Sequence, residues 1–81
     1  MAYLEEFAEL LRRVAAGQES ADAVEAWFAS REDELKSDSE LALKQAVQEA
    51  LARAWTWRSN HTTEGELRAA YAALAARLAE A

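Results

Sequence analysis

Leu4-Glu5-Glu6-Phe7-Ala8-Glu9-Leu10-Leu11-Arg12-Arg13-Val14-Ala15-Ala16-Gly17 spaces its large apolar side chains Leu4, Phe7, Leu11 and Val14 by three and four residues. At about 100° per residue that spacing lines one face of an α-helix. Glu5, Glu6 and Glu9 come early and Arg12 and Arg13 late, which matches the helix dipole and sets Glu9 one turn before Arg13. Gly17 follows, where a left-handed residue closes a helix without steric cost. The stretch predicts a first helix over residues 2–16.

The rest of the chain repeats this grammar. Ser20 reads as the N-cap of a second helix with the stripe Val24, Trp27, Phe28, Arg31 and Leu35, and Asp22 near its positive end. Ser37-Asp38-Ser39-Glu40 offers a capping box that restarts the chain as a third helix over residues 38–58, with Leu43, Val47, Ala50, Leu51 and Ala54 on its buried face. Trp55 and Trp57 lie about 200° apart around that helix, so one narrow stripe cannot hold both. Trp55 falls with Leu51 and Leu41 on a second, flanking stripe. Ser59-Asn60-His61-Thr62 is a polar break, and a second capping box from Thr63 to Glu66 opens a fourth helix with Leu67, Tyr71, Leu74 and Leu78 inward. Trp27, Phe28, Phe7 and Tyr71 all fall on core stripes.

Composition agrees: the 81 residues include 21 alanines, no Pro and two Gly, a mixture dominated by residues that lose little on entering a helix. The 21 larger apolar side chains, none of them Ile, suit a thin core. Short connections favour antiparallel neighbours. The expectation is a single all-α domain, a small antiparallel four-helix bundle, with helices 2 and 3 merged into one bent helix as the alternative.

The absence of Cys excludes a disulfide framework and thiolate chemistry. The acidic start Tyr3-Leu4-Glu5-Glu6 does not read as a secretory leader, and no apolar run approaches membrane-spanning length, so the expected compartment is the cytoplasm. The sequon Asn60-His61-Thr62 is then coincidental. Residues 1–40 carry 11 acids against 4 bases, whereas residues 41–81 carry 4 acids against 5 bases. Phosphate backbones are attracted by dense Lys and Arg, so direct nucleic-acid binding is not expected, and a basic protein is the natural complement.

Catalytic constellations are missing. His61, the one histidine, sits in a polar loop and reads as a solvent-facing residue. No metal is expected without Cys, a second His or a Glu-x-x-His pair, and no cofactor is expected where two glycines 48 positions apart cannot form a phosphate-cradling loop. Paired carboxylates do acid-base work only where burial separates their pKa values, and these acids lie opposite the apolar stripes. Asp22, Glu25, Glu32, Asp33, Glu34 and Asp38 are therefore candidate partner-binding residues, joined by Trp55, because exposed Trp is enriched at binding hot spots.

The segment Leu10-Leu11-Arg12-Arg13-Val14-Ala15-Ala16-Gly17-Gln18-Glu19-Ser20-Ala21-Asp22-Ala23-Val24-Glu25-Ala26-Trp27-Phe28, a Leu-rich helix, a Gly turn and a Ser-Ala-acid helix start, resembles the opening of small bacterial immunity proteins of the colicin D type. Thr63-Glu64-Gly65-Glu66-Leu67-Arg68 is similar to their ending, so the likeness covers about half the chain. The middle differs, with an Ala-rich helix carrying Arg53 and Arg58 where an acidic, aromatic segment is usual. The resemblance implies a non-enzymatic inhibitor that occupies the basic tRNA-binding site of a ribonuclease toxin. The competing expectation is an assembly or adaptor module that self-associates, as a homo-oligomer, through helix 4 or the Trp55 stripe.

Overall fold

Backbone hydrogen bonds at the helix ends follow local rules. The computed structural model describes residues 2–38 and 41–80, and among them the chain forms α1 (Ala2–Ala15), α2 (Asp22–Asp38), α3 (Leu41–Arg58) and α4 (Glu64–Glu80). α1 stops in a Schellman motif: Gly17 takes a φ of 81°, its N–H donates to the Val14 carbonyl at 3.1 Å, and Gln18 N–H donates to the Arg13 carbonyl at 2.8 Å. α3 stops the same way with Asn60 in the glycine's place, at a φ of 63°. Asn60 N–H donates to the Trp57 carbonyl at 3.0 Å and His61 N–H to that of Thr56 at 2.9 Å. The polar break after residue 58 is thus a second left-handed stop.

α2 begins two residues past the expected cap, and the Ser20 carbonyl accepts from Ala23 N–H at 3.1 Å. α4 opens on the expected capping box, with Glu66 N–H donating to Thr63 Oγ1 at 3.1 Å and Thr63 N–H donating to Glu66 Oε1 at 3.3 Å. The box expected at Ser37 and Glu40 lies outside the described residues.

Contacts between distant residues fix the topology. Arg58 at the end of α3 reaches Asp22 at the start of α2, so the two are separate antiparallel helices and the single bent helix is excluded. Tyr3 near the start of α1 meets Glu34 near the end of α2. Tyr71 touches Ala50, and Leu78 shares a groove with Ala42, which makes α3 and α4 antiparallel as well. Gly17 faces Arg68 while Arg12 and Ala79 line one groove, so α4 also runs opposite to α1. The result is an up-down-up-down bundle whose most extensive contact joins α1 to α4, followed by α3 to α4. α2 is held more lightly. The radius of gyration, 11.8 Å, is that of a globule of this length, about 12 Å.

Each helix contributes most of its expected stripe to one core, in which Phe7, Leu11, Val24 and Tyr71 are fully buried, while Leu4 and Arg31 are only partly covered. Ala50 and Ala54 are equally inaccessible and, being small, let α3 approach its neighbours closely. Phe28 and Leu51, expected inside, are partly buried and pack against the core edge, because they border the lightly packed α2–α3 seam. Trp57 also packs there, whereas Trp55 is 65% exposed, as their angular separation requires.

Tyr71 spans the bundle, its hydroxyl donating to the Ala50 carbonyl at 2.6 Å. Burial pushes its phenol up to about 12, reinforced by the Glu25 carboxylate and opposed by Arg58. Above the ordinary phenol value of 10.0 the unfolded chain loses this proton while the folded chain keeps it, so stability falls as pH rises from 10 to 12. That loss amounts to roughly 2–3 kcal/mol. Tyr71→Phe should cost about 1 kcal/mol at neutral pH through the lost hydrogen bond and should flatten the alkaline decline. Urea unfolding across this pH window checks the expectation, and equal slopes in both proteins would contradict it.

Candidate functional site

α2 is the helix that concentrates charge. It carries six acids against two bases, while α3 beside it carries three bases against one acid. Between them runs a groove of about 320 Å³ lined by Phe28, Leu35, Val47 and Leu51, with Glu32 on the α2 rim and Lys44 and Gln48 on the α3 rim. The same lightly packed seam that leaves Phe28 and Leu51 partly buried creates this groove.

Arg58 closes one end of the seam. Its guanidinium donates to Asp22 Oδ1 at 2.6 Å and reaches Glu25 Oε1 at 2.7 Å. The hydrogen bond to Glu25, with the charges of both carboxylates, raises the Arg58 pKa against the opposing effect of desolvation. Two of the expected partner-binding acids are therefore engaged within the chain, although the Asp22 side chain is still 72% exposed.

The opposite side of α2 is tied to α1. Trp27 Nε1 donates to Glu6 Oε1 at 2.6 Å, and Arg31 reaches the same oxygen at 2.5 Å. The Arg31 guanidinium lies 5.1 Å from the Trp27 ring centroid, within cation–π range. Phe7 meets the same indole at 4.8 Å between centroids. Tyr3 donates its hydroxyl to Glu34, a hydrogen bond that raises the Tyr3 pKa.

The six candidate acids consequently do not form one face. Asp22 and Glu25 flank Arg58, Glu32 rims the groove, Asp33 is exposed, and Glu34 turns toward α1. The Asp38 side chain lies outside the described residues. Trp55 stands on α3, and with Leu41 at 69% exposure it is one of the two large hydrophobic side chains most open to solvent among the described residues. Sequence reasoning missed the roles of Glu6, Arg31 and Arg58, whose partners are 21 to 36 residues away or on another helix. The missing signal was which helices would be neighbours.

His61 is exposed. Among the described residues no three His, Cys, Asp or Glu side chains gather as a metal site requires, and no helix is long and apolar enough to cross a membrane. The class defined by fold and surface is a small four-helix bundle with a charged peripheral helix and an open apolar groove. Comparison with models of known protein families, with curated proteins and with solved structures finds no match to this chain.

Proposed function

We propose that this chain is a non-enzymatic, protein-binding inhibitor of the immunity type, which presents exposed carboxylates of α2 to the basic active site of a nuclease toxin acting on tRNA. The observation that carries this reading is the charge of α2: six acids against two bases on the most lightly packed helix, with Asp22, Glu32, Asp33 and Glu34 all exposed. Carboxylates presented in this way take the place of substrate phosphates before a basic cleft. The resemblance of residues 10–28 to immunity proteins of the colicin D type supplies the toxin class.

The test is inhibition of tRNA cleavage by a ribonuclease toxin captured with this protein from its native host, measured as salt is raised. Inhibition that is tight at low salt and weakens steeply with ionic strength is expected. Cleavage unaffected by a large excess of the protein at low salt would refute the reading.

A further inference from the structure

We infer that α2 opens from the bundle as a unit, more often than the whole chain unfolds, while α1, α3 and α4 stay packed together. This inference does not rest on the inhibitor reading.

The local stability of an element follows the apolar contacts it shares with the rest of the fold. α1 and α3 each meet α4 more extensively than they meet α2, so removing α2 leaves the two largest interfaces of the bundle intact. The inward face of α4 is an unbroken apolar row of Leu67, Tyr71, Leu74, Ala75 and Leu78, all buried.

The inward stripe of α2 is interrupted. Val24 and Trp27 are buried toward one end and Leu35 at the other, but between them the stripe presents Arg31, only partly covered. The Arg31 guanidinium reaches Glu6 at 2.5 Å and lies over the Trp27 ring. An ion pair with both side chains in reach of water therefore occupies the middle of the α1–α2 seam. On the other side of α2 the seam widens into the groove of about 320 Å³, with Phe28 and Leu51 only partly buried.

Polar ties hold α2 near both ends. Arg58 grips Asp22 and Glu25 where the helix starts, and Tyr3 donates to Glu34 toward its other end. These ties lie at the surface, where water competes for both partners and such pairs add little stability. Residues 16–20, which join α1 to α2, are exposed throughout and include Gly17 at a φ of 81°. α2 can thus separate without moving the packed face of α1. Opening releases Asp22, Glu25 and Glu34 from their ties together and uncovers Phe7, whose ring meets Trp27 at 4.8 Å.

Native-state hydrogen exchange of the full chain, followed by NMR at low urea concentrations, tests the inference. The amides of Phe28, Arg31 and Leu35 should exchange through one shared opening, about tenfold or more frequent than the opening that exposes Leu11, Ala50 and Leu74. Its urea dependence should be shallower, because less surface is exposed. Two variants, each checked for native helix content by circular dichroism, separate this opening from whole-chain unfolding. Tyr71→Phe removes a hydrogen bond between α4 and α3 that survives when α2 opens. It should speed exchange in α4 about fivefold and leave exchange in α2 unchanged. Val24→Ala removes packing that is lost in both the open and the unfolded states, so it should speed α2 and α4 alike, by about tenfold or more. One opening with one urea slope for all four helices, equal acceleration of α2 and α4 by Tyr71→Phe, or α2 exchange unmoved by Val24→Ala would each overturn the inference.

Discussion

Leu74→Ala should lower the unfolding free energy by roughly 2–5 kcal/mol. Leu74 is 4% exposed on α4 and borders a gap whose other walls include Ala42 and Ala46 on α3, bridged above by Arg77 and Glu49 at 2.6 Å. Alanine walls have no flexible side chain to collapse into the space, so the cavity term persists. A domain of this size holds about 4–12 kcal/mol in all, and the variant therefore stands close to half unfolding under mild stress. Urea or thermal unfolding followed by circular dichroism measures the loss. A change below about 0.5 kcal/mol, the range of surface substitutions, would mean that this stripe does not carry the core.

Reversing Glu32, Asp33 and Glu34 together to Lys should slow association with a basic partner about tenfold or more at low salt, with dissociation much less affected. The substitution brings the formal net charge from −6 to zero and converts the charged end of α2 from attraction to repulsion. All three residues are exposed, so folding should change by no more than about 1 kcal/mol, even with the Tyr3 contact to Glu34 lost. Stopped-flow or surface-plasmon measurements at low and high salt separate the two rates. If the triple variant associates as fast as the unmodified chain at low salt, acidic steering by α2 is wrong.

What the sequence disclosed was local. The three-and-four spacing of Leu4, Phe7, Leu11 and Val14, the stop at Gly17 and the Thr63–Glu66 box all depend on residues within a turn or two, and the structure contains each of them. The separation of Trp55 from Trp57 was legible for the same reason. Asn60 carried a readable signal too, since Asn is the commonest substitute for Gly in a left-handed cap. The Arg58 clamp on Asp22 and Glu25 was hidden, because nothing within α2 says that the end of α3 will lie beside its start. Likewise the sequence supplied the acids of α2 but not their dispersal around it, which depends on where α1 and α3 pack.

The dominance of the α1–α4 contact has a consequence for how the molecule comes into being. The pair of helices that shares the largest interface is also the pair farthest apart along the chain. Most helical bundles gather neighbours first and fold quickly on short-range contacts. Here α1 meets α2 through Phe7 and Trp27, but its most extensive interface forms only once α4 is in place. That pairing raises the mean sequence separation of the bundle's contacts, which should slow its folding relative to bundles closed by neighbouring helices alone.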